Sequence, residues 1–185
     1  MPSGAAQPSS VRRPIASLFL LLAVAFAPAC GGEDTAPAVV LDGSPRHADD
    51  EGVITALDVD GLSLTLDDKR SYEVSEQLRS FSALDLSIQP LADAKDAYVQ
   101  VGLDGRTVVW LGRIAKVVPT QPPRVFYVGR FTRIEDADGL RRAVFGEGTV
   151  LALGDGVEPP PDSVGAVLQV EIDPATHRVI ALRPA

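Results

Sequence analysis

Four Asp-Gly pairs, Asp60-Gly61, Asp104-Gly105, Asp138-Gly139 and Asp155-Gly156, break the chain beyond Gly52 into short runs that are either alternating or continuously apolar. Asp-Gly favours the tight turns joining antiparallel strands, because those turns need positive φ and glycine adopts it without a steric cost. Short strand-length runs bounded by such turns specify β-structure. The one stretch with a helical option lies at 74–96, where Leu78, Phe81, Leu84 and Leu86 are spaced to support one short helix before Pro90 interrupts it.

The same pattern occurs twice. GVITALDVDGL at 52–62 reappears as GRFTRIEDADGL at 129–140, and YVQVGLDGRTVVWL at 98–111 is echoed by VLQVEIDPATHRVIAL at 167–182. The blocks keep their order, offset by 77 residues from Gly52 to Gly129 and by 69 from Val101 to Val170, so they read as a duplicated unit. The first copy, 51–118, is expected to carry strands near 52–58, 62–67, 70–74, 97–103 and 107–117. The second, 125–185, is expected to carry them near 125–134, 141–146, 148–153, 165–172 and 177–183, with GDGVEPPPDS in place of the helix. Between the copies PTQPPR, residues 119–124, holds three prolines and suggests a stiff, extended linker.

Three strands, a helix and two strands is an order that resembles the OB-fold, a small five-stranded barrel. The fold class expected is therefore all-β, with two small OB-like β-barrel domains in tandem and one short helix in the first. Closing each sheet removes edges that would otherwise recruit other chains. The resemblance implies ligand binding through the loops joining strands one to two and four to five, here Asp58–Gly61 and Asp104–Arg106. Both are tight and leave little reach around a ligand, which argues against a deep pocket.

The N-terminal segment gives an address. Arg12 and Arg13 precede an apolar run, Ile15 to Ala27, that only Ser17 interrupts, and small residues follow. This is the layout of a secretory signal peptide, residues 1–29. Thirteen helical residues span roughly 20 Å, short of the roughly 30 Å hydrocarbon core, so a cleaved leader is expected and not a membrane span. The arginine pair reads as a basic leader end and not as a twin-arginine export signal. Ala27-Pro28-Ala29-Cys30 resembles the lipobox of bacterial lipoproteins, departing from it at Ala27, where that family most often has Leu, and at Pro28. The resemblance implies diacylglyceryl attachment to the sulfur of Cys30 and cleavage before it. Acyl chains supply the paired hydrophobic signals that stable anchoring needs, and they consume a thiol that would otherwise stand alone in an oxidising compartment. The expected location is extracytoplasmic, lipid-anchored to the cell membrane or outer membrane. Residues 30–50, rich in Gly, Pro, Ala and acids, read as a flexible tether, with Val39, Val40 and Leu41 able to dock as a short edge strand.

Few chemical functions fit the remainder. Cleaved before Cys30, the chain carries 15 basic and 25 acidic side chains, a net charge of −10, which repels phosphate backbones and argues against nucleic acid as a partner. Asp58-Val59-Asp60-Gly61 and Asp136-Ala137-Asp138-Gly139 alternate carboxylates as calcium loops do, but lack the third ligand before the glycine and the closing acid. They read as turns whose carboxylates bond local amides. His47 and His177 are far apart in sequence and read as solvated surface residues, and with no second cysteine no zinc site is expected. No nucleophile elbow or dinucleotide loop occurs. Trp110, Phe126 and Tyr127 lie in apolar strand runs and read as barrel core. The function expected is a non-catalytic binding or adaptor module of the cell envelope, without cofactor or metal, whose partners are the membrane and an envelope protein or glycan. The alternative is a metal-dependent ligand binder or hydrolase using carboxylates at a barrel mouth or between the two copies.

Overall fold

The structure, a computed structural model, describes residues 41–137 and 139–185, which fall in one compact unit. The expected leader, the lipobox-like stretch with Cys30, and Val39 and Val40 lie outside the described residues. Ten strands follow in order: β1 Asp50–Asp58, β2 Ser63–Leu66, β3 Arg70–Ser82, β4 Ala97–Asp104, β5 Thr107–Val118, β6 Arg124–Ala137, β7 Leu140–Phe145, β8 Val150–Ala152, β9 Val167–Asp173 and β10 Arg178–Pro184. The protein is all-β, and each strand overlaps one expected from the sequence.

The short helix expected over 78–86 does not form. β3 continues through Leu78 and Phe81 to Ser82, Leu86 turns the chain at φ 60°, and the helical content here is a single 3-10 turn, Leu91–Ala94. Pairing decides this. β3 runs parallel to β5 as Glu73↔Thr107 and Val74↔Val108, bulges, and resumes as Arg79↔Trp110 to Ser82↔Arg113. The bulge breaks the two-residue alternation of the strand, so Leu78 and Phe81, three residues apart, are partly and fully buried while the backbone stays in the sheet, and Phe81 lies over Gly112.

The first five strands return on themselves: β1 pairs β2, β2 pairs β3, β3 pairs β5, β5 pairs β4, and β4 pairs β1. The second five repeat the circuit. β6 pairs β7 and β9, β7 pairs β8, β9 pairs β10, and one parallel bridge, Leu153↔Val179, links the end of β8 to β10. The repeat extends to register. Asp50↔Val101 and Gly52↔Val99 in the first ring correspond to Tyr127↔Val170 and Gly129↔Leu168 in the second, so the two sequence offsets carry one set of strand partners onto the other.

The rings are fused. β4 is buried continuously from Ala97 to Gly102, which needs cover on both faces because alternate side chains point to opposite sides. Val99 and Val101 join Ile54, Leu64, Val108 and Leu111 in the first ring's core. Tyr98 instead packs with Ala83 and Ile114 into the cluster formed by Tyr127, Phe131, Phe145, Leu168 and Val170 of the second ring. The linker at 119–124 is not an extended spacer. It turns the chain between β5 and β6, which pair as Val117↔Val125 and Val118↔Arg124, and it contains a cis Gln121-Pro122 bond.

The last residues of the expected tether are also ordered against the body. Arg46 N donates to Gly148 O at 2.8 Å, its Nη2 donates to Glu147 O, and its guanidinium lies 5.1 Å from the centre of the Phe81 ring. Burial lowers the pKa of Arg46. Gly148, at φ 83°, lies so close to Ser44 and Arg46 that a side chain there would collide with both. Residues 44–49 therefore form a strap that crosses the β7–β8 turn before entering β1.

Candidate functional site

Where the strap, β1 and β4 meet β7, β8 and the β9–β10 turn, the rings leave a cleft of about 300 Å³. Its walls come from sequence-distant segments: His47 and Asp49 of the strap, Glu51 of β1, Gln100 of β4, Arg142 of β7 and Arg178 of β10.

Glu51 and Gln100 are register partners on β1 and β4. Gln100 is 4 % exposed, and its Nε2 donates to Val150 O at 2.6 Å and to Glu51 Oε2 at 3.1 Å. One amide thus ties the first ring to the backbone of the second while holding a carboxylate at the cleft. Burial raises the pKa of Glu51, opposed by the Gln100 hydrogen bond and by the charges of His177 and Arg178. The Tyr98 hydroxyl faces the same carboxylate but is fully enclosed without a hydrogen bond of acceptable geometry, and burial followed by the Glu51 charge drives its pKa up.

Behind Glu51 runs a chain of paired charges. Asp50 Oδ1 accepts from Arg70 Nη1 at 2.6 Å and its Oδ2 accepts from the Tyr72 hydroxyl at 2.6 Å. Arg70 Nη2 donates to Glu51 O at 2.9 Å and to Asp67 Oδ2. Asp67, in the β2–β3 turn at φ 49°, accepts from Val53 N at 2.8 Å and meets His177 Nε2 at 3.0 Å. His177 sits at φ 55° in the β9–β10 turn, its ring 5.9 Å from that of Tyr98. It is not the solvated residue expected: it is half-buried and joins a turn of one ring to a turn of the other. His47 is more exposed and lies 3.3 Å from Glu135 on β6.

The other residues singled out from sequence are placed as follows. Asp58 caps its own turn, Gly61 N donating to Asp58 Oδ1 at 2.8 Å, as read. Positive φ there falls on Leu62, whereas Gly105, Gly139 and Gly156 carry it at their own turns. Tyr127 is core as expected, Trp110 is half-buried over Gly102, and Phe126 is 36 % exposed on the outer face of β6. No group of three or more His, Cys, Asp or Glu side chains among the described residues is placed to hold a metal ion. No helix among them is long and apolar enough to cross a membrane.

The cleft was missed because no contiguous motif encodes it. Its signals were a glutamine inside an otherwise apolar strand run, YVQVG, and an acid at the start of β1. Compared with protein-family models, with curated proteins and with solved structures, the chain shows no significant match to any.

Proposed function

We propose that this chain is a non-catalytic binding module of the cell envelope, held at the membrane through Cys30, whose head is a fused pair of OB-like barrels with its ligand site in the cleft between them. The observation that carries the reading is the cleft itself: a concave site at a junction of two structural repeats, lined mainly by polar and charged groups and framed by side chains already fixed by one another. Ligand sites of small size are typically built at such junctions. The OB-like description is supported by the ring order β1-β2-β3-β5-β4 with β3 parallel to β5, repeated in β6 to β10. Binding is favoured over catalysis because the His177–Asp67 pair is not hydrogen-bonded to any hydroxyl or thiol among the described residues.

Two measurements test this. Cys30→Ala abolishes incorporation of a fatty-acid probe and releases the protein from membranes; retention of both contradicts the anchor. A thermal-shift panel of small polar ligands, glycans and divalent metals raises the melting temperature for at least one organic ligand, and loses that rise in Glu51→Gln. A rise confined to metals favours a metal-dependent binder instead.

A further inference from the structure

Subtracting the charges that the protein neutralises for itself leaves two poles in the cleft. Asp50 is held by Arg70 and Tyr72, His47 faces Glu135, and His177 faces Asp67. Arg142 also has a partner within the protein. Three charged groups of the lining are left without an oppositely charged hydrogen-bond partner among the described residues: the Asp49 carboxylate, held by the Leu103 backbone amide at 2.8 Å, the Glu51 carboxylate, of which one oxygen is held by the Gln100 amide, and the Arg178 guanidinium, whose charge acts on Glu51. The same lining includes the aliphatic residues Leu140, Val150 and Ala152.

Resting on the reading of the cleft as a ligand site, we propose that it takes a small zwitterion, a molecule carrying a primary ammonium for Glu51 and a carboxylate for Arg178 across a short apolar stem, as a free amino acid or short peptide does. A guanidinium presents parallel donors to a carboxylate, and a partly buried carboxylate gains most from a cation that can also donate hydrogen bonds. A ligand with only one charge would leave the other pole desolvated and unpaired, a penalty that selects for both charges at once. The volume sits at the lower end of ligand sites and suits a small occupant.

The test is a two-dimensional NMR titration of the isotope-labelled protein, with the Gln100 side-chain amide as the reporter beside Glu51. Alanine as the free amino acid and diglycine are the zwitterionic probes; acetate and ethylammonium carry the two charges separately. At least one zwitterion moves the Gln100 signals saturably while acetate and ethylammonium do not at equal concentration. Glu51→Gln, which is isosteric, and Arg178→Gln, which keeps a shorter uncharged polar chain, each checked for a folded spectrum, weaken the binding by about tenfold or more. Absence of saturable movement with either zwitterion up to its solubility overturns the proposal, as does undiminished binding in either folded variant. If a glycan or a simple carboxylate moves the same signals instead, the zwitterion assignment falls and the binding-site reading stands. If no probe moves them, both fall.

Discussion

Tyr98 belongs by sequence to the first ring and by packing to the second, so replacing it separates a fused body from two neighbouring ones. Its side chain is 0 % exposed and lies among Tyr127, Phe131, Phe145 and Val170, so Tyr98→Ala removes a buried aromatic ring and costs about 3–5 kcal/mol. Tyr98→Phe behaves differently. The hydroxyl is enclosed facing the Glu51 carboxylate without a hydrogen bond of acceptable geometry, so deleting it removes a poorly satisfied buried group. Such a group carries a penalty of about 1–3 kcal/mol, and the Phe variant is therefore as stable as the parent or more so. Urea unfolding followed by far-UV circular dichroism and by the fluorescence of the single tryptophan, Trp110 in the first ring, provides the assay. The two probes give coincident transitions in the parent and in both variants, with the Ala midpoint strongly lowered. Transitions that separate, with Trp110 insensitive to the Ala change, would refute the shared core. A loss of more than about 1 kcal/mol in Tyr98→Phe would show that the hydroxyl makes a hydrogen bond worth keeping.

Burial places the Glu51 pKa above the ordinary glutamate range, so the folded state binds this proton more tightly than the unfolded chain does. Stability therefore falls as pH rises from the ordinary glutamate range through the folded-state pKa, and Glu51→Gln flattens that part of the pH–stability curve while matching or exceeding the parent at pH 7. Gly102→Ala places a methyl group where the Trp110 indole lies; it costs about 1–3 kcal/mol and shifts the tryptophan emission, both read in one fluorescence titration. Arg46→Ala frees the strap at a cost of about 1 kcal/mol, and limited proteolysis then cuts within 41–49 faster than in the parent.

The strands were legible because local chemistry specifies them. Asp-Gly turns and alternating runs located all ten, and the repeat in the sequence carried the register of β1 on β4 to that of β6 on β9. What local patterning lacks is information on which face of a strand meets which neighbour. The run from Ala97 to Gly102 looks like a buried strand, but only the assembled rings show that its two faces enter different cores. The spacing of Leu78 and Phe81 fits a helix until the bulged pairing of β3 with β5 is known. Three prolines suggested an extended spacer where two strands pair directly across the turn. The cleft was least legible of all. Glu51, Gln100 and Arg178 are ordinary residues whose meaning arises when a duplicated sheet folds against itself.

If ligand enters between the rings, a photoreactive amino acid placed by amber suppression captures it in intact cells. Thr176 lines the cleft and is exposed, while Asp155 is exposed on the turn after β8 and away from the lining. After irradiation and purification, mass spectrometry shows a discrete added mass on the protein labelled at 176 and none on the protein labelled at 155. The same adducts at both positions, or none at either, would show that no ligand is held between the rings.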